Sequence, residues 1–204
     1  MRLPLEIASR KDNHALLQPA IFLDKDGTLV VDDPYSVDTG TMRLYPEVLP
    51  ALAAFAAQGY KLFVVSNQPG VAHGYFDTAA VDRVGFALAQ RFADSSAPLS
   101  GFYYCPHHPD GVRREFAVTC DCRKPAPGLL AKAASEHHVD LSASWMLGDI
   151  LHDVEAGKRA GCRTILVDRG NETEWDVTGA RQPDWVVSDL KSALKHVGGQ
   201  PTDC

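Results

Sequence analysis

The sequence has no long hydrophobic run. A membrane-spanning helix needs ~20 consecutive apolar residues, and even Ile21–Leu23 is broken at once by Asp24, Lys25 and Asp26. An apolar segment ending in a small-residue cleavage site is also missing near the start, where Arg2, Arg10 and Lys11 stand beside Glu6 and Asp12. No membrane partner is expected, and the expected compartment is the cytoplasm. Excess positive charge is absent as well. The 20 Lys+Arg against 26 Asp+Glu leave a net charge of −6, which disfavours any ligand held mainly by phosphate neutralisation, so no nucleic acid partner is expected. Cysteine is scarce, at five residues. In a reducing compartment these are thiols or metal ligands rather than disulfides. No internal repeat or low-complexity linker interrupts the chain, and nothing in it sets the oligomeric state.

What remains is a 204-residue chain with 45% hydrophobic residues, enough for one sizeable core. Apolar runs of strand length alternate with helix-period segments. Strands are predicted at 20–24, 60–66, 101–105, 145–149, 163–168 and 184–187, and helices at 46–58, 77–94, 127–138, 152–160 and 189–196. In the first helix Val48, Leu49, Leu52, Phe55 and Ala56 share a face, with Pro46 suited to its start and Gly59 to its stop. The alternation predicts an α/β fold: a three-layer, doubly wound, mainly parallel sheet with helices on both faces and chemistry at the carboxyl ends of the strands. The expected domain is 20–197, with 1–19 an N-terminal extension and 198–204 a tail. Two irregular stretches, 29–44 and 106–123, follow strands and should wall the site.

The sharpest local feature is Phe22-Leu23-Asp24-Lys25-Asp26-Gly27-Thr28. If the strand continues, side chains two apart share a face, so Asp24 and Asp26 look into one pocket and Lys25 turns aside. Asp24, kept ionised by a divalent cation, suits a nucleophile; Asp26, beside another carboxylate, suits a general acid. A solvated turn would explain this segment taken alone. Polar groups recur, however, after later strands: Ser66-Asn67-Gln68, Lys124 ahead of a helix, and Gly148-Asp149. Phosphoryl transfer needs a nucleophile, a cation, donors for phosphoryl oxygens and an acid. Asp24, Asp149 and the main-chain carbonyl of Asp26 suit magnesium, and Lys124 suits the phosphoryl oxygens.

In this order the motifs resemble the haloacid-dehalogenase-like (HAD) phosphohydrolases, over residues 20–190. The resemblance implies that Asp24 forms an aspartyl-phosphate and that Asp26 acts as acid and then base. It implies that Ser66, Asn67 and Lys124 contact the phosphoryl group, that Asp24, Asp26 and Asp149 hold Mg2+, and that Asp153 is an acidic supporter. Only 42 positions separate Asp24 from Ser66, too few for the large cap domain found there in many HAD enzymes, so short loops should close the site.

Cys105-Pro106-His107 and Cys120-Asp121-Cys122 are separated by 12 residues. Three thiolates and an imidazole make a closed tetrahedral set for a structural Zn2+, with Cys105, His107, Cys120 and Cys122 as ligands and His108 the adjacent competitor. A zinc loop at this place resembles the HAD branch of heptose-1,7-bisphosphate phosphatases and histidinol phosphatases. That resemblance implies a small phosphorylated sugar as substrate, with loss of the C7 phosphate of D-glycero-D-manno-heptose 1,7-bisphosphate, and contact with it by Arg123. Histidinol phosphate is the nearest alternative substrate. A polynucleotide 3′-phosphatase would need a basic groove, and an aspartyl-phosphate switch would need no acid two residues past its nucleophile. Two departures from the branch remove positive charge: His73 where Arg is common, and Ile150 where Lys is frequent.

Overall fold

A computed structural model describes residues 17–197; 1–16 and 198–204, most of the predicted extension and the whole tail, lie outside the described residues. Six parallel strands form one sheet: β1 (Ala20–Leu23), β2 (Lys61–Asn67), β3 (Leu99–Cys105), β4 (Trp145–Gly148), β5 (Arg163–Val167) and β6 (Trp185–Val187), in the order β3-β2-β1-β4-β5-β6. Between them run the helices α1 (Val48–Ala57), α2 (Thr78–Ala93), α3 (Gly128–His137) and α4 (Leu151–Ala160), and α5 (Leu190–Ala193) follows β6. Chain order reverses between β1 and β4, and in open α/β sheets the crevice at such a switch point is where ligands bind.

Alternation of side chains along each strand explains the two cores. Ile21, Leu23, Val64 and Leu147 pack with Leu52 of α1, Leu88 of α2 and Leu190 of α5. Phe22, Phe63, Val65 and Met146 face the other way, against Leu130 of α3 and Ala156 of α4. Central strands buried on both faces read as unbroken apolar runs.

The final helix is shorter than the predicted 189–196. Beyond Ala193 the amides of Leu194, Lys195 and His196 bond to carbonyls three residues back, so the chain tightens out of α geometry. At the other end, Gln18 does not hang free: it forms a parallel bridge to Val139. The stretch after β1 folds back through an antiparallel bridge between Val30 and Leu44. Arg91 of α2 pins this loop by donating to the carbonyls of Met42 (2.9 Å) and Thr39 (3.2 Å).

Candidate active site

The strand β1 ends at Leu23, and Asp24 is the first residue beyond it. The chain then turns, with the amides of Leu29 and Val30 both donating to the Lys25 carbonyl. The alternation expected for Asp24-Lys25-Asp26 therefore breaks, and Lys25 does not turn aside. Its side chain is 3% exposed and its ammonium pairs with the Asp26 carboxylate. The other Asp26 oxygen accepts from the Gln68 amide at 3.0 Å, and the same amide donates to Ser66 Oγ at 2.8 Å.

Lys124 comes from the loop before α3, and its side chain is 2% exposed. Its ammonium pairs with Asp24, lies 2.6 Å from Asp153 Oδ1 and donates to the Val65 carbonyl at 2.8 Å. The two carboxylates outweigh the effect of burial and hold the lysine above its ordinary pKa. Asn67, the last residue of β2, clamps the same lysine by its main chain: the amide donates to the Lys124 carbonyl and accepts from the Lys124 N–H, each at 3.0 Å. The side chain expected to meet the phosphoryl group is thus engaged in placing Lys124.

Asp149 follows β4 and is fixed from two sides. Thr28 Oγ1 donates to one oxygen at 3.0 Å and Asn171 Nδ2 to the other at 2.7 Å. Gly27 makes this approach possible: its φ is +79°, and a Cβ there would lie 2.0 Å from Asp149 Oδ2. Gly148 is constrained in the same way, because a Cβ would come within 2.3 Å of the Asp153 carboxyl. Oxygens of Asp24, Asp149 and Asp153 all lie within 4.8 Å of one another, and all three residues are buried. Burial, opposed by Lys124 and reinforced by the neighbouring carboxylates, raises the pKa of Asp24 well above its ordinary value. Burial and then Asp153 push Asp149 up to about 6. Several carboxylates with one shared ammonium form a hard, oxygen-only donor set short of positive charge, which fits Mg2+.

The cysteine cluster closes at the end of β3. Cys105 Sγ lies 3.5 Å from Cys120 Sγ and 3.2 Å from Cys122 Sγ; Cys122 Sγ lies 3.3 Å from Cys120 Sγ and 3.3 Å from His107 Nδ1. Ligands ~2.0–2.3 Å from one zinc would stand about 3.5–3.8 Å apart in a tetrahedron; the four groups, brought together from two loop ends, lie slightly closer than that and could hold one metal ion. Burial pushes the Cys105 thiol up to about 11, the reverse of what thiolates need unless a cation joins them. His108, the competitor, points elsewhere: its ring lies 4.8 Å from that of His73. Arg123 donates to the His107 carbonyl at 3.5 Å, which ties it to the cysteine loop.

Two cavities flank Asp26. One, of about 610 Å³, lies under the 30–44 loop and is lined by Lys25, Asp32, Asp38 and Arg43 among others; the other, of about 250 Å³, lies between Asp32–Ser36 and Asn67–Gly70. Four contributors have no role legible in the sequence, although Thr28 and Gln68 stand inside the Asp24–Thr28 and Ser66–Gln68 motifs. Thr28 and Asn171 orient Asp149, and Gln68 orients Asp26. Glu172 accepts from the amides of Leu151 (2.6 Å), Thr173 (2.8 Å) and Glu174 (2.7 Å), which secures the start of α4 beside Asp149 and Asp153. Such partners are separated by 21 to 121 positions in the chain.

An all-parallel sheet of this strand order, with a carboxylate pair after β1, an amide after β2, a buried lysine before α3 and acids after β4, defines a HAD-like hydrolase. A family model described as HAD-hydrolase-like matches residues 121–193. Two curated relatives are similar across nearly the whole chain. The D-glycero-β-D-manno-heptose-1,7-bisphosphate 7-phosphatase of Salmonella typhi is 41% identical over 87% of this chain and 95% of its own length. Its counterpart in Escherichia coli K12 is 40% identical over 87% and 94%. Among solved structures, the D,D-heptose 1,7-bisphosphate phosphatase of B. bronchiseptica, complexed with magnesium and phosphate, superposes with a TM-score of 0.71 at 28% identity, covering 87% of this chain and 97% of that one. The chain belongs to the family of the D-glycero-β-D-manno-heptose-1,7-bisphosphate 7-phosphatases, and with it to the HAD phosphatases.

Proposed function

We propose that this protein removes the C7 phosphate of D-glycero-D-manno-heptose 1,7-bisphosphate through a phosphoaspartate at Asp24. The observation that carries the reading is the meeting of Asp24, Lys124, Asp149 and Asp153 at the sheet's switch point, in a chain so similar to two enzymes of that name. A carboxylate oxygen of Asp24 attacks phosphorus as the bond from phosphorus to the C7 oxygen breaks. Asp26 gives its proton to that departing oxygen. Asp26 then takes a proton from water, which attacks the phosphoaspartate and frees inorganic phosphate and Asp24. Lys124 spreads positive charge over the transferring group, and about 4 kcal/mol is available from such an ammonium 4 Å away at an effective dielectric of 20.

Asp24, Asp149 and the carbonyl of Asp26 would hold a magnesium ion, which supplies charge neutralisation for the phosphoryl oxygens. Cys105, His107, Cys120 and Cys122 would hold a structural zinc that shapes the 106–123 wall. Ser66 is 1% exposed and accepts from Gln68; its hydroxyl would donate to a phosphoryl oxygen. Arg123, tied to the cysteine loop through the His107 carbonyl, would meet the substrate beyond its reacting phosphate. No described helix is long and apolar enough to cross a membrane, and the cytoplasm is the compartment proposed for this activity.

Turnover assays side by side on both anomers of the heptose bisphosphate, fructose 1,6-bisphosphate and histidinol phosphate test this. The heptose bisphosphate should lead in kcat/KM by on the order of 10²-fold. A lead for histidinol phosphate would move the chain to the other substrate of its branch.

A further inference from the structure

We infer that Lys25 is a positioning residue for Asp26, holding the carboxyl of the general acid against the leaving oxygen. The inference rests on the role proposed above for Asp26. Lys25 is a lysine at 3% exposure whose ammonium has one salt-bridge partner among the described residues, the adjacent Asp26. Asp26 itself is 35% exposed and stands where two cavities meet, about 610 Å³ on one side and about 250 Å³ on the other. A carboxylate at such a junction has room to rotate. Here each of its oxygens is gripped separately: one by Lys25, the other by Gln68 Nε2 at 3.0 Å, which is in turn tied to Ser66 Oγ at 2.8 Å.

The grip on the Lys25 side has a structural origin. The turn that begins as soon as β1 ends at Leu23 carries the Lys25 side chain beneath the 30–44 loop. Lysine is costly to bury, because each desolvated ion loses several kcal/mol that only a well-placed partner returns. An apolar residue of similar length would fill that space without the cost. Removing the ammonium leaves Asp26 reachable by water, so the fold should survive Lys25→Met. Lys25 transfers no proton in this scheme. Asp26 delivers one to the departing oxygen, and Lys25 fixes where that delivery occurs.

Dependence on the leaving group separates this from a merely structural role. The value of kcat/KM reports steps up to phosphoryl transfer onto Asp24, the step that needs the acid. An alkoxide must be protonated as it leaves, whereas p-nitrophenolate leaves unaided. Lys25→Met should lower kcat/KM about 10–100-fold on the best alkyl phosphate of the substrate panel, part of the 10²–10⁴ typical of general acids. On p-nitrophenyl phosphate it should change by less than about threefold, and Lys25→Arg should recover most of the alkyl activity. Equal loss on both esters, or no loss on either, overturns the inference. Asp26→Asn is the control. If Asp26→Asn discriminates between the esters and Lys25→Met does not, the lysine role fails and the acid role stands. If Asp26→Asn shows no discrimination, the acid assignment fails and the inference falls with it.

Discussion

Asn67 and Lys124 are joined twice, the side-chain amide of one donating to and accepting from the main chain of the other at 3.0 Å each. This clamp links the end of β2 to the loop before α3 and fixes the level at which the Lys124 ammonium enters the carboxylate cluster. Asn67→Ala breaks both bonds and leaves partly buried main-chain groups unpaired. The expected cost is about 1–3 kcal/mol in chemical denaturation, with a fall in kcat larger than any change in KM. Unaltered kcat would show that Lys124 holds its place without the clamp.

Lys124 is the sole ammonium paired with the buried Asp24 and Asp153 among the described residues. Removing one partner of a buried ion network typically costs 3–5 kcal/mol. Lys124→Met should therefore destabilise by about that much, and the double variant Lys124→Met/Asp153→Asn should regain part of it. A double-mutant cycle measures the coupling; strict additivity would contradict a shared network.

With Asp149 pushed up to about 6, the metal-free folded state keeps a proton that the unfolded chain releases near 3.8. The folded state then binds more protons between those values. This group's contribution to stability is thus greatest below about pH 4 and declines as pH rises towards 6, by up to about 3 kcal/mol. A cation bound to the ionised carboxylate reverses that loss. Magnesium should consequently raise Tm more at about pH 7.5 than at about pH 5, and equal increments at both would count against Asp149 as a ligand.

Much of the fold was legible because strands buried on both faces produce apolar runs of strand length, as at Ile21–Leu23 and Phe63–Val65, and because helix faces such as Val48, Leu52 and Phe55 repeat at helical spacing. The grouping of Asp24 with Asp149 followed from one topological rule, that such residues sit at strand carboxyl ends, whereas Lys124, ahead of α3, was joined to them by the need of phosphoryl oxygens for a cationic donor. Lys25 was misread because the alternation rule holds only inside a strand, and β1 stops one residue before Asp24. Thr28, Asn171 and Glu172 escaped because their partners are remote in sequence. Their side chains, alone, are ordinary turn residues.

The cysteine cluster makes a separate prediction. Cys120→Ser/Cys122→Ser should abolish a tightly held zinc, measured by elemental analysis at about one per chain in the parent, and should expose the 106–123 loop to proteases. Retained zinc would refute the ligand set.

The start of α4 offers a stability test. Burial alone would raise the pKa of Glu172, yet three main-chain N–H groups, with Arg181 nearby, hold it below its ordinary value. Its stabilisation is therefore complete above about pH 4.5 and is lost as pH falls through the lowered value. Glu172→Gln should cost about 1–3 kcal/mol at neutral pH and flatten that acid limb of the stability profile. An unchanged limb would place the titration elsewhere.

The most direct measurement is chemical trapping of the covalent intermediate. Enzyme quenched during turnover and treated with borohydride should have an acyl phosphate reduced to homoserine, located by peptide mass spectrometry. Homoserine at position 24, absent when substrate is omitted, is the predicted result. Reduction at 26, 149 or 153, or no reduction in an enzyme turning over rapidly under conditions where the intermediate accumulates, would contradict Asp24 as the residue that attacks phosphorus.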